Sequence, residues 1–350
     1  MGAWVEIDLG ALVRNAQTLA DRARVPLLPM VKADAYGLGA IPVVGALESL
    51  DPWGYGVATV TEGAELRAAG IGRPIVVFTP LLVSELDAAR QHGLTPALGS
   101  QESIAVWRTG PNTPWHLAID TGMNRAGVPW DAVATLDLGV CRPQGAFTHF
   151  HSAECDDGSL QLQLARFSEA IASMPERPRL LHAENSAALE RLAGPSAWDI
   201  ARPGVFLYGV GETAEPVATL KAHIVDLRTV APGESVSYSG SYRATSQRRI
   251  ATLALGYADG YRRAFGNRGR VIVNDQEARV VGNVTMDMTM IDVTDVPCAI
   301  GDVVTLLGRA GNRVLDAVTV AETGGVSPYE LLVGLKLRAP RIYTGPTGYV

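Results

Sequence analysis

The sequence predicts an α/β barrel, a TIM-like (β/α)8 domain over residues 1–214, followed by a mainly-β domain over residues 215–350. Three observations carry this. Eight β-rich runs alternate with helical runs through the first part, as strand–helix units around a parallel sheet do. Beyond it the runs are β-rich and parted by Gly, Asp and Asn turns. The chain of 350 residues, 47% hydrophobic and 19% charged, can bury the core of a barrel with an added domain.

In chain order the eight strand candidates are LLPMVKA, YGVATV, IVVFT, LTPALG, WHLAID, QGAFTHF, RLLHAEN and PGVFLYG. Helical runs such as TEGAELRAAG, LLVSELDAARQHG and LQLQLARFSEAIASM lie between them. In the last, Leu160, Leu164, Phe167 and Ile171 recur at the 3–4 spacing of one buried face. Glycine closes the first two, a helix stop signal. In the second domain SVSYSGSYRAT, RIATLALGYA, GRVIVND, EARVVGNVTMDMTMIDV and GDVVTLLG read as strands, with little helix before PYELLVGL.

Composition excludes several classes. A net charge of −6 argues against non-specific binding to nucleic acid or acidic membranes. No apolar run reaches the ~18 residues of a membrane span. Glu6 and Asp8 stand where a signal peptide carries its apolar core, so the expected location is cytoplasmic. Cys141, Cys155 and Cys298 are odd in number and widely spaced, which gives neither a disulfide framework nor a zinc site.

One cation stands apart. The chain has three lysines, Lys32, Lys221 and Lys336, and 27 arginines. Lys32 ends the first strand candidate, where barrel chemistry sits. Burial disfavours a charged amine, and a neutral amine attacks a carbonyl to form a Schiff base; a guanidinium does not. Taken alone, Lys32 reads more readily as a lysine that closes a strand and reaches for solvent.

Its neighbours decide. The segment KADAYGLG resembles the pyridoxal-phosphate attachment site of alanine racemases, with Leu38 where histidine is usual. The resemblance makes Lys32 the cofactor lysine and Tyr36 a phosphate ligand. DTGMNRAG at 120–127 resembles the family's D-T-G-M-x-R-x-G, which gives Arg125 the substrate carboxylate, a role suited to a planar fork. Ala118 replaces the carbamylated lysine that braces this arginine in many relatives.

The pair His149 and His151 in FTHFHSAE suggests a metal, but no third ligand has a sensible spacing, so none is expected. The family's T-H-F places His149 against the pyridine ring. In HAENSAAL, Ser186 reads as a helix N-cap and, by the family's N-S-A-A, as a phosphate ligand; Glu184 replaces the usual alanine. ARPGVFLYG resembles R-P-G-I-x-L-Y-G, which assigns Arg202 to the pyridine nitrogen and Gly204 and Val205 to the phosphate.

In the β domain ESVSYSG, LALGYADGYRR and GNVTMDM match family segments in order, though Asn283 replaces an arginine. The resemblance makes Tyr238 the second catalytic base, donated by the partner of a homodimer. Tyr257 narrows the entrance, and the Met286 backbone N–H contacts substrate. SPYELLVGLKLRAPRIY places Tyr329 near cofactor and substrate.

The reaction implied is interconversion of L- and D-alanine by two bases, Lys32 and Tyr238, on opposite faces of Cα. Free lysine and tyrosine titrate near ~10.4 and ~10, so both must be lowered to act near neutral pH. Burial helps Lys32; Tyr238 needs positive charge, for which Arg202 acting through His149 is the candidate. The rivals are racemisation of serine or another small amino acid, and a decarboxylase on the same fold. The decarboxylase would place a carboxylate, not Arg202, at the pyridine nitrogen.

Overall fold

Short apolar runs bounded by Gly, Pro and Asp form the parallel sheet of one of two compact units, the one made of Val13–Ala35 and Leu47–Leu207. The computed structural model describes residues 2–138 and 141–345. Strands Tyr55–Val57, Ile75–Val77, Thr95–Leu98, His116–Asp120, Gly145–Phe147 and Leu180–His182 lie side by side in that order, every pair parallel. Tyr55–Val57, Ile75–Val77 and Thr95–Leu98 are buried at every residue, as strands covered on both faces are.

Two of the eight expected strands take another form. LLPMVKA makes only isolated parallel bridges, Met30 to Gly56 and Leu27 to Ala201. Val31 N–H donates to Gly56 O and Leu28 N–H to Ala201 O, each at 2.8 Å, so this segment bonds to the first strand of the row and to the stretch at Ala201. Pro29 has no N–H to extend either ladder. PGVFLYG is a 3-10 turn over Val205–Tyr208, closed by Leu207 N–H to Gly204 O at 3.0 Å. The ladder contact lies upstream at Ala201, because Pro203 cannot donate to a sheet.

Helix Ser159–Ala172 forms where the 3–4 spacing predicts, but its deeply buried residues are Leu160, Gln163, Phe167 and Ala170. Leu164 and Ile171 are only half-buried. The inward face is rotated by one residue and includes a carboxamide. Helix Val60–Ala68 opens on a reciprocal cap: the Thr59 side chain accepts from Glu62 N–H, and the Glu62 side chain accepts from Thr59 N–H.

The other unit comprises Met1–Leu12, Tyr36–Ala46 and Tyr208–Val350. Its sheet runs Arg313–Leu315, Val303–Ala310, Arg270–Val273, Gln276–Val280, Thr289–Asp292, Arg248–Leu253, Ala218–Val230, Ala3–Asp8 and Arg341–Thr344. A further pairing of Val303–Ala310 with Ala218–Val230 closes six of these strands into an antiparallel barrel. Ala3–Asp8 and Arg341–Thr344 pair in parallel, so both ends of the sequence join this sheet. Asn274 and Asp275, at φ 47° and 61°, make the tight hairpin turn between Arg270–Val273 and Gln276–Val280.

SVSYSGSYRAT is not one strand. Ser235–Val236 and Tyr242–Arg243 pair across a 3-10 turn over Tyr238–Gly240. Helix Ala317–Gly324, capped by Asp316, lies in a region where little helix was expected. Among the described residues no helix is long and apolar enough to cross a membrane.

Candidate active site

Lys32 begins a left-handed helical turn. Ala33, Asp34, Ala35 and Tyr36 have φ of 53°, 54°, 52° and 57°, and Gly37 continues at 84°. For residues with a Cβ this conformation costs roughly 1–2 kcal/mol each, and runs of it are rare. It persists where neighbours hold it, and such strain gathers at functional sites. Ala35 N–H donates to Val31 O at 2.9 Å, and Ala33 N–H donates to Glu62 Oε1 at 2.7 Å. No side chain in this stretch announces the turn, and only Gly37 at its end belongs to the left-handed region by type.

The Lys32 side chain is half-buried. Burial lowers its pKa, the nearby Arg125 lowers it further, and Glu62 opposes both. Its amine therefore gives up its proton more readily than a free lysine's, and the neutral form is the one a nucleophile requires.

Arg125 is exposed on the loop after His116–Asp120. That loop is pinned from two sides. Asp120 Oδ1 accepts the N–H of Gly122 at 2.9 Å and of Asn124 at 3.1 Å. Gln163 Nε2 donates to Thr121 Oγ1 at 3.1 Å and to His149 O at 3.2 Å, while its Oε1 accepts His151 N–H at 3.1 Å. Thr121 Oγ1 also bonds Thr148 Oγ1 at 2.7 Å, and Arg166 donates to Thr121 O at 2.9 Å. Ala118 packs with Ala97, Phe147 and Phe78, so an apolar cluster fills the place where a bracing lysine would start.

Arg202 is buried and uses its two terminal nitrogens fully. One donates to His182 Nδ1 at 2.8 Å and His182 O at 2.6 Å; the other to Thr148 O at 2.7 Å and Ala183 O at 3.2 Å. Its remaining donor, Nε–H, has no acceptor among the described residues. A guanidinium only donates, so His182 Nδ1 accepts and the His182 proton sits on Nε2. That N–H faces His116 Nδ1 at 2.8 Å, which places the His116 proton on its own Nε2. Burial pushes His116 down to about 4, and burial with the Arg202 charge holds His182 well below the usual histidine range. His149 is pushed to about 3 by burial and by Arg202, Arg125 and Lys32. Arg202 hydrogen-bonds His182 rather than His149, a partner that the sequence reading missed.

Ser186 is not the cap of its helix. Asn185 takes that place, its side chain accepting Ala188 N–H at 3.0 Å. The buried Ser186 Oγ instead accepts the N–H of Gly204 at 2.9 Å and of Phe206 at 3.3 Å, which ties it to the turn holding Val205. With both acceptor positions taken, its O–H is left to donate elsewhere. Glu184 is buried, its carboxyl raised by burial, with Oε2 unpaired among the described residues.

In the second unit Tyr36 stacks on Tyr208 at 4.6 Å and meets Tyr329 at 6.3 Å. Burial and Tyr329 push its hydroxyl above the usual tyrosine range, so it stays a neutral donor. Arg341 donates to Gly37 O, and Tyr343 to Leu38 O. Arg338 grips both Asp259 oxygens at 2.7 Å and Asp287 Oδ1 at 2.7 Å, joining the turn that carries Tyr257 to the turn that carries Met286. Tyr238 is 73% exposed and lines an open cleft of about 470 Å³ with Tyr257, Arg263, Val284 and Thr285. His151 bonds Ser152, and among the described residues no three His, Cys, Asp or Glu groups could hold a metal.

Fold and site define an α/β enzyme with a half-buried lysine amine just beyond the parallel-bridged segment Leu27–Val31. Comparison with known proteins is consistent throughout the chain. The alanine racemase N-terminal domain family matches residues 7–212 and the alanine racemase C-terminal domain family residues 217–343. The alanine racemase of Halothermothrix orenii is 35% identical, over 99% of this chain and 97% of that protein. That of Syntrophobacter fumaroxidans is 38% identical over 94% of each. Among solved structures, the alanine racemase of Streptomyces lavendulae superposes with a TM-score of 0.92 at 29% identity, covering 99% of this chain and 98% of that one. The Bartonella henselae alanine racemase with covalently bound pyridoxal phosphate gives 0.91 at 27% identity, covering 98% and 100%. The chain belongs to the alanine racemase family.

Proposed function

We propose that this chain interconverts L-alanine and D-alanine with pyridoxal 5'-phosphate as cofactor, using Lys32 and the partner subunit's Tyr238 as its two bases. The observation that carries the reading is the half-buried Lys32 amine, whose charged form burial and Arg125 disfavour.

The residues present fit the cofactor. The unused Arg202 Nε–H suits a ring nitrogen that accepts a hydrogen bond. The Ser186 O–H and the neutral Tyr36 hydroxyl are donors suited to a phosphate. When bound, the cofactor supplies an aldehyde for the amine and an electron sink that acidifies Cα–H. Lys32 holds it and exchanges a proton on one face of Cα; the partner subunit's Tyr238 does so on the other. Arg125 pairs the substrate carboxylate, and the Met286 N–H contacts substrate. Tyr257 narrows the entrance, and Tyr329 stands near cofactor and substrate. His149, neutral at pH 7, lies along the ring. Gly204 and Val205 bring backbone close to the phosphate; the Gly204 amide itself is engaged by Ser186.

The architecture proposed is an eightfold barrel within residues 1–214, from which Ala3–Asp8 departs to pair with Ala218–Val230. The segment Leu27–Val31 and the stretch at Ala201 supply the first and eighth staves beside the six strands, supported by the bonds that tie Leu27–Val31 to Gly56 and to Ala201. Residues 215–350 form the domain that supplies the partner's site in a cytoplasmic homodimer. The test is racemisation of L-alanine, L-serine and other small amino acids, followed by borohydride reduction and peptide mapping. The expected result is alanine racemisation, with label on Lys32 lost in Lys32→Ala. Carbon dioxide release from lysine, ornithine or arginine, or label elsewhere, would overturn it.

A further inference from the structure

Glu62 has none of the roles above, yet its carboxylate reaches the backbone on which Lys32 stands. As the third residue of helix Val60–Ala68 it is half of a reciprocal cap, a task that occupies one oxygen. Oε2 serves it, accepting the N–H of Ala58 at 2.7 Å and of Thr59 at 3.3 Å. Oε1 accepts the N–H of Ala33 at 2.7 Å, far away in sequence. Ala33 is the first of the four left-handed residues. The strained turn is thus anchored at its outset to the residue that follows strand Tyr55–Val57.

We propose that Glu62 is the positioning residue of Lys32: its carboxylate, fixed by one oxygen to Ala58 and by the other to Ala33, holds the left-handed turn and so sets where the Lys32 amine stands. The inference rests on the reading of Lys32 as the cofactor lysine. A carboxylate suits the task because it alone offers acceptors on both sides; a carboxamide would turn an N–H2 toward one of the two amides. Three charged or titratable groups face Lys32: Arg125 from the loop after His116–Asp120, His149 from the end of Gly145–Phe147, and Glu62 itself. Glu62 is the one anion among them, so it also limits how far the amine's affinity for a proton falls.

The experiment uses the full-length chain, as parent and as Glu62→Gln, Glu62→Asp and Thr59→Ala. Hydrogen exchange of the segment 31–37 reads the clamp. After the cofactor is released with hydroxylamine, reductive methylation with 13C-formaldehyde marks three lysines and the N-terminal amine, and Lys32→Arg assigns the Lys32 signal for titration. Glu62→Gln is expected to speed exchange at Ala33 by at least about tenfold, the loss of one charge-assisted bond, and to lower the Lys32 midpoint. Glu62→Asp keeps the charge but is too short to span both amides, so exchange rises with a smaller change of midpoint; it also stands in if the glutamine variant does not fold. Thr59→Ala weakens the cap and lowers the melting temperature, with Ala33 exchange and Lys32 titration as in the parent. Ala33 exchange at the parent's rate in either Glu62 variant, or an unmoved Lys32 midpoint in Glu62→Gln, overturns the proposal. Borohydride labelling of the parent keeps the readings apart: no label at Lys32 refutes the catalytic assignment, whereas the exchange result judges the clamp by itself.

Discussion

Ala33, Asp34, Ala35 and Tyr36 each adopt a backbone conformation that a Cβ penalises. Only a local scaffold explains why they keep it, and the amide of Ala33 on Glu62 is part of that scaffold. The Ala33 methyl is exposed, so replacing it removes steric strain without opening a cavity. Ala33→Gly is therefore expected to stabilise the chain by about 0.5–1 kcal/mol, the strain relieved minus the added freedom of the unfolded glycine. A urea titration checks this: the midpoint rises at constant slope. A fall would mean that the turn stores no strain at this residue. The resemblance of KADAYGLG to a family segment made Lys32 and Tyr36 legible in the sequence. The turn that separates them was not, because left-handed backbone in Ala, Asp and Tyr has no compositional sign.

Helix Ser159–Ala172 shows what periodicity resolves and what it misses. The apolar spacing located the helix, but the inward face contains Gln163, which an apolar template passes over. Its carboxamide is satisfied on both ends and connects the loop of Arg125 to the strand end of His149. With Ala118 in an apolar cluster, this helix is what steadies the arginine loop. Gln163→Leu removes the partner of His149 O and of the His151 N–H and leaves Thr121 Oγ1 only its bond to Thr148, a loss of about 1–3 kcal/mol. The expected kinetic result is a KM for alanine raised roughly tenfold with kcat nearly unchanged, since the role proposed for the loop is to orient the substrate carboxylate rather than to move the proton. A kcat that falls as far as kcat/KM would place the effect at the proton-transfer step instead. The strands carry a second consequence. His116 titrates near 4 in the fold against a usual 6.5, so the unfolded chain binds the proton first. Stability is full above pH 6.5 and declines as pH falls toward 4, by about 3 kcal/mol from this residue. His116→Phe should flatten that part of the urea-midpoint profile, and a profile as steep as the parent's would discount it.

At the scale of the whole molecule the two-part organisation was legible in the sequence, because the change from alternating to all-β runs is a change of period. It concealed that Ala3–Asp8 belongs to the sheet of the C-terminal strands, since a single six-residue strand carries no mark of its partner. The proposed division of labour, Lys32 from one subunit and Tyr238 from the other, is decided by mixing inactive chains. Tyr238 is 73% exposed and Tyr257 and Met286 are exposed beside it, a set of apolar side chains that a second copy would cover. Lys32→Ala and Tyr238→Phe are each expected to lose racemisation. Unfolded together in equal amounts and refolded, half the dimers are mixed. Each mixed dimer then holds one site with neither substitution, because the two residues of any site come from different chains. Recovered activity should be about a quarter of the parent's. Were both bases drawn from one chain, every site in the mixture would carry one of the substitutions, and no activity would return.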